Sequence, residues 1–148
     1  MKIRPVTRGD RDEWLRLRLA LYPDSSPDEI DEWLDNAEQG TLRVGVAVFV
    51  ADRGDSRLAG FVEIGLRSYA ESCVSTPVPF LEGWYVDADA RRQGLGSQLV
   101  RTVEDWARAR GYTELASDTQ LDNTVSLRAH LALGFEEVER QICFRKTL

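Results

Sequence analysis

A chain of 148 residues is long enough for one domain with a sizeable core and short for two. Its 43% hydrophobic and 30% charged residues mark a folded, soluble chain, and no uninterrupted apolar run approaches the length that spans a bilayer, so neither disorder nor a membrane partner is expected. A net charge of −6 argues against nucleic acid as a partner; it suits a cationic small molecule or peptide, although acidity also serves solubility.

The N-terminus, Met1-Lys2-Ile3-Arg4-Pro5, alternates apolar and basic residues without a signal-peptide core, so a cytoplasmic protein is the expectation. Ile3 to Val6 reads as a short strand. Thr7-Arg8-Gly9-Asp10 pairs a hydroxyl with a carboxylate three residues on, a helix start, and Trp14, Leu17 and Leu21 continue it as one face. Tyr22-Pro23 ends that helix. Ser26-Pro27-Asp28-Glu29 starts a second, with Ile30, Trp33, Leu34 and Ala37 as its stripe and Gly40 closing it. Leu42 to Ala51 and Leu58 to Leu66 read as strands joined by the turn Asp52-Arg53-Gly54-Asp55-Ser56. Ser68 to Pro79 is irregular, and a loop of that length in a small domain points to function.

Phe80-Leu81-Glu82-Gly83-Trp84-Tyr85-Val86 is strand-like, and a helix follows from about Gly94 to Arg110, where Leu95, Leu99, Val103 and Trp106 recur at i, i+4, i+8 and i+11. Tyr112 to Asp118 reads as a strand, Asn123 to Leu133 as a helix stopped by Gly134, and Phe135 to Lys146 as a final strand. No repeat or linker divides the chain, so residues 1–148 read as one domain. The order predicts an α/β (α+β) fold, a mixed sheet with helices on both faces. Gly83 inside a β-favouring run suggests a bulge; strand 80–86 and its neighbour near 114–118 would then splay apart and admit a ligand.

Between the strand and the long helix lies Arg91-Arg92-Gln93-Gly94-Leu95-Gly96-Ser97. It lacks the Lys-Ser/Thr of a Walker loop, and the chain has no G-x-G-x-x-G. Strand, glycine loop and helix aim backbone N–H groups from Arg92 to Ser97, and the positive helix end, at a phosphorylated ligand. Cys73 and Cys143 are far apart and, with a single histidine and no CxxC, form no zinc pattern; no metal is expected, and free thiols in a reducing compartment are.

This Arg-x-x-Gly-x-Gly loop resembles the acyl-CoA pyrophosphate loop of the GNAT N-acetyltransferases, and Asn123 through Phe135 resembles that family's Asn-x-x-Ser/Ala…Tyr-x-x-x-Gly-Phe segment. The superfamily resemblance covers nearly all of residues 2–147. Phe80-Leu81-Glu82-Gly83, Ala116-Ser117-Asp118-Thr119, Leu133 to Arg140 and Phe144-Arg145-Lys146 are similar to one branch, the aminoglycoside 6′-N-acetyltransferases. The resemblance implies a GNAT fold, acetyl-CoA as acetyl donor, and a homodimer. It implies that the backbone of Trp84, Tyr85 and Val86, the loop residues Arg92, Gln93, Gly94, Leu95, Gly96 and Ser97, and Asn123 hold the donor. It also implies that Glu82, Asp118 and Glu139 bind the amino sugar, with Tyr22 and Tyr69 as aromatic walls; Tyr22 stands where close relatives carry tryptophan. His130 replaces the tyrosine that in many relatives protonates the leaving thiolate. An imidazole titrates at about 6.5, so His130 could serve as that acid or be a packed neutral side chain.

Aminoglycosides are polycations, and carboxylates suit them independently of any resemblance. Glu82 is assigned as the base that deprotonates the amine, Asp118 as its orienting partner, and a backbone N–H, that of Val86, as the oxyanion donor. Attack is direct, in a ternary complex, and neither cysteine lies in a motif for a covalent acyl-enzyme. A polyamine, a peptide N-terminus or a lysine as acceptor, and a non-catalytic acyl-CoA-binding module, stay open as alternatives.

Overall fold

The structure is a computed structural model and describes residues 1–43 and 46–148. The chain forms β1 (Lys2–Pro5), α1 (Arg11–Leu21), α2 (Pro27–Gln39), β2 (Ala47–Asp52), β3 (Leu58–Arg67), β4 (Val78–Val86), α3 (Leu95–Ala109), β5 (Ala116–Ser117) and α4 (Thr124–Ala132). The strands make one mixed sheet in the order β1-β2-β3-β4-β5, antiparallel from β1 to β4 and parallel between β4 and β5.

The helix starts follow from the residues that precede them. The Thr7 N–H and hydroxyl both donate to Asp10, at 2.8 and 2.9 Å, and this closes a single 3-10 turn (Arg8–Asp10) ahead of α1. Arg4 donates to both oxygens of Asp10 and to Asp52, which ties β1 to β2 and to the entry of α1. The Ser26 hydroxyl accepts from the Asp28 N–H at 3.2 Å at the start of α2, and Gly40 ends that helix in the left-handed region.

Each face of the sheet carries its own core. Trp14 and Leu17 of α1 and Ile30 and Leu34 of α2 pack with Val48, Val50, Leu58 and Phe61. On the opposite face Leu95, Leu99 and Val103 of α3 pack with Phe49, Val62, Ile64 and Leu81. The stripes read from the sequence face these cores, with Leu21, Trp33, Ala37 and Trp106 half-buried at their margins, because a period near four leaves one face of each helix to cover a sheet.

Several boundaries differ from expectation. The second strand starts at Ala47, not at 42; Val44 and Gly45 of the expected run lie outside the described residues. β4 begins at Val78 and thereby takes in the end of the expected 68–79 loop. β5 has only two residues instead of a strand over 112–118. The expected strand over 135–146 is absent among the described residues: that segment joins no ladder, and Val138, Ile142 and Phe144 are exposed. Its β-favouring composition is not enough, because a strand needs an edge to pair with, and β5 offers a very short one.

Candidate active site

The site is made where the sheet opens. β3 and β4 pair as Glu63↔Gly83 and then as Ile64↔Leu81, so Glu82 is the extra residue of a bulge at the position where Gly83 predicts one. β5 pairs with β4 only at Phe80↔Ala116 and Leu81↔Ser117. Beyond that rung β4 runs on to Val86 without β5 beside it, which leaves a gap in the sheet.

Backbone groups of β4 face this gap. The Asp87 N–H donates to the Ala59 oxygen at 2.8 Å, so by antiparallel alternation Tyr85 and Gly83 spend their backbone groups on β3. Trp84 and Val86 then turn their N–H groups toward the open side. The Val86 carbonyl accepts from Arg91 Nε at 2.8 Å, which joins the end of β4 to the glycine loop. Arg92 has φ of 60° and Gly94 φ of 76°, two left-handed residues that reverse the chain into α3. Among the described residues, the amides from Arg92 to Ser97 find no acceptor within the chain. Orphan amides with a helix N-terminus behind them fit a diphosphate. Gly96 has a different reason: a Cβ there would lie 3.1 Å from Trp84 Cζ2, so glycine lets α3 sit close on β4.

Asn123 Oδ1 accepts from the Ser126 N–H at 3.0 Å and so caps α4. His130, one turn after Ser126, is fixed on both ring nitrogens: Nδ1 lies 2.8 Å from the Ser126 carbonyl and Nε2 2.8 Å from Ser117 Oγ. Trp84 and Phe135 meet the imidazole edge-on, with centroids 5.5 and 5.2 Å away.

On the α1/α2 side a cleft of about 180 Å³ is lined by Trp14, Arg18, Glu63, Gly65 and Glu82 among others. Glu82, expected as the base, is gripped by Arg67, which donates from Nε at 3.0 Å and from Nη2 at 2.7 Å. The Arg67 guanidinium carbon lies over the Phe80 ring, 3.4 Å from its centroid, and the hydrogen bonds to Glu82 hold that guanidinium further above the usual arginine range. Tyr22 caps α1 and donates its hydroxyl to the Glu82 carbonyl at 2.5 Å. Burial raises the Tyr22 phenol, and the charges of Glu63, Glu82 and Asp118 add to the effect, so these groups converge. Asp118 is exposed and directly follows β5.

Tyr69 is exposed and donates to Glu71 at 2.8 Å; its phenol is raised chiefly by that bond, with the charge of Glu139 contributing. Tyr22 and Glu82 therefore meet beside the bulge, while Tyr69 pairs with Glu71 and Glu139 is exposed. The Tyr69 loop is tied down by Glu114, whose Oε1 accepts from the Val74 N–H, the Ser75 N–H and the Ser75 hydroxyl at 3.0, 2.7 and 2.6 Å; these bonds, the Ser75 hydroxyl first, hold the Glu114 carboxyl below its usual range. Burial pushes the nearby Cys73 thiol up, away from thiolate character.

Reading the sequence misses Glu63. It is half-buried, accepts from Trp14 Nε1 at 3.0 Å and lies 3.3 Å from Arg18, and desolvation raises its carboxyl above the usual range. The signal was a lone charge inside the apolar run Leu58 to Leu66. Arg67 and Glu114 carry no comparable signal, because their partners are remote in sequence. No helix among the described residues is long and apolar enough to cross a membrane.

Comparison with known proteins agrees with this geometry. The acetyltransferase (GNAT) family model matches residues 10–135. The chain is 48% identical over 146 residues to an aminoglycoside N(6′)-acetyltransferase type 1 of Klebsiella aerogenes, covering 99% of this chain and 96% of that protein. A second such enzyme, from Serratia marcescens, is 43% identical over 140 residues, covering 93% and 92%. The solved structure of AAC(6′)-Iy with the bisubstrate analogue CoA-S-monomethyl-acetylneamine superposes with a TM-score of 0.85 at 36% identity, covering 99% of this chain and 98% of that one. With a diphosphate-type loop at α3, an opened β4–β5 pair and these relatives, the chain belongs to the GNAT acetyltransferase family.

Proposed function

We propose that this protein transfers the acetyl group of acetyl-CoA to the 6′-amino group of an aminoglycoside, in one ternary complex. The observation that carries this reading is the gap beyond the Leu81–Ser117 rung, with backbone N–H groups along one wall and Glu82 and Asp118 at its acceptor side. The names of the relatives supply the same acceptor and the same nitrogen.

Acetyl-CoA enters as substrate, its diphosphate on the amides of Arg92 to Ser97 and its pantetheine arm beside Asn123. The Val86 N–H polarises the thioester carbonyl and holds the oxyanion, and Trp84 and Tyr85 shape that wall. The acceptor's ammonium group competes with Arg67 for Glu82, since both offer donors to one carboxylate. Glu82, once released, takes the proton directly or through water, and Asp118 orients the amine. Tyr22 and Tyr69 flank the sugar, and Glu139 binds a second amino group. His130 supplies the proton for the departing thiolate. No acyl-enzyme forms, in keeping with the raised Cys73 thiol.

Residues 1–148 act as one domain. The molecule works as a homodimer through residues 138–146, a reading supported by the exposed Val138, Ile142 and Phe144 on a segment that joins no ladder among the described residues. A cytoplasmic setting suits the unpaired Cys73 and Cys143. Mass spectrometry of an aminoglycoside incubated with protein and acetyl-CoA, with the modified nitrogen located, tests the function. Acetylation confined to the 6′-nitrogen is expected; modification elsewhere, or none, rejects it. Glu82→Gln should lower turnover by about a hundredfold, and unchanged turnover across pH removes Glu82 as base.

A further inference from the structure

We propose that the leaving thiolate takes its proton from the hydroxyl of Ser117, with His130 acting behind it as the proton source. The inference rests on the acetyl-CoA reading above. Its basis is the hydrogen-bond chain at the closed end of the gap. Ser117 is the last residue of β5 and the partner of Leu81, the last rung before the strands part. Its Oγ lies 2.8 Å from His130 Nε2 and 3.4 Å from the Leu81 carbonyl.

The tautomer follows from the other side of the ring. His130 Nδ1 is 2.8 Å from the Ser126 carbonyl and 3.3 Å from the Ser126 hydroxyl; the nearer carbonyl can only accept and would repel a lone pair, so Nδ1 carries the hydrogen and the hydroxyl turns its own proton elsewhere. In the neutral ring Nε2 therefore holds a lone pair and accepts the Ser117 proton. In the imidazolium Nε2–H donates to Ser117 Oγ instead. The ring cannot readily turn to meet a sulfur atom itself, because Trp84 and Phe135 pack edge-on against it and both nitrogens are engaged. An imidazole is also shorter than the phenol that many relatives place here. Histidine and serine together deliver a hydroxyl where a tyrosine would bring its own.

The step balances as follows. The carbon–sulfur bond of the tetrahedral intermediate breaks and its electron pair goes to sulfur. Sulfur takes the proton of Ser117 Oγ as Oγ takes the proton of His130 Nε2, and the electrons of that N–H bond stay on nitrogen. The products are the thiol, an intact serine and a neutral His130 still bonded through Nδ1–H to Ser126. Solvent reprotonates the ring. The side chains that face the imidazole are Ser117 of β5, Ser126 of α4, Trp84 of β4 and Phe135, none of which changes charge in the working range; Asp118, which directly follows β5, is the carboxylate next to Ser117 in the chain.

The experiment compares Ser117→Ala, Ser117→Thr, His130→Gln and the double variant Ser117→Ala/His130→Gln. It measures kcat against pH, and calorimetry gives the acetyl-CoA affinity of each protein. Both alanine and glutamine single variants should lose kcat by about tenfold, below the general-acid range because a thiolate already leaves well. Both should also lose the alkaline limb of the profile. The double variant should be no slower than either single one, since the two residues serve one proton. Ser117→Thr should restore rate and limb, and acetyl-CoA affinity should stay as in the parent. A Ser117→Ala protein with parental kcat and pH limb overturns the relay, and so do additive losses. Absence of acetyl-CoA binding by the parent protein overturns the donor reading itself, a failure calorimetry separates from failure of the relay alone.

Discussion

Gly96→Ala sets two effects of known sign against each other. Alanine in a helix is favoured over glycine by at most about 1 kcal/mol, so propensity alone predicts a more stable protein. Against this, the new Cβ would sit 3.1 Å from Trp84 Cζ2 and 3.5 Å from Cε2 and Nε1. Carbon atoms in good contact stand about 3.5–4.0 Å apart, so a shift of a few tenths of an ångström is required. The indole gives little, since His130 stands edge-on to it and the α3-side core closes around it. Overpacking of this kind costs about 1–3 kcal/mol, which outweighs the propensity gain. The first turn of α3 must move, and with it the amides meant for the diphosphate. Loss of one hydrogen bond to a charged group is about 1.5–3 kcal/mol, so acetyl-CoA affinity should fall by at least about tenfold. Urea unfolding and calorimetry with acetyl-CoA measure both quantities. A variant that is about 1 kcal/mol more stable and binds acetyl-CoA as the parent does would refute the close-packing argument.

Other expectations concern the charged groups. Because burial raises the Glu63 carboxyl, the folded state holds that proton more tightly than the unfolded state does. Its contribution to folding is fullest below the unfolded value of about 4.3 and declines as pH rises through the raised folded value. Glu63→Gln keeps an acceptor for Trp14 and removes the decline, so its stability relative to the parent should rise between pH 4 and pH 7 in urea titrations; a constant difference contradicts the assignment. Arg67→Ala should free Glu82 for a cationic acceptor, lowering KM for the aminoglycoside several-fold while leaving stability within about 1 kcal/mol, because the pair is well exposed. An unchanged or raised KM means that Arg67 does not compete with the substrate. Glu114→Ala removes the acceptor that holds Val74 and Ser75 and should raise KM for the aminoglycoside without altering acetyl-CoA affinity; equal changes for both substrates would place the loop's role elsewhere.

The sequence alone determined the elements whose signals are local. Thr7 to Asp10, Ser26-Pro27 and Gly40 mark helix ends because caps are made by residues within a turn of each other. The α3 stripe and the Arg91–Ser97 loop are legible because period and glycine spacing follow from backbone geometry, and Gly83 betrays the bulge for the same reason. Tertiary structure decided what depends on partners distant in the chain. The segment 135–146 has a strand's composition and joins no ladder among the described residues, since pairing is a property of two edges. Glu82 looks like a free base until Arg67, fifteen residues away, is folded onto it. Ser117 is an ordinary residue of a short strand until α4 brings His130 within 2.8 Å of it. Side-chain chemistry is written in residue types, but protonation, pairing and reach depend on neighbours that only the folded chain supplies.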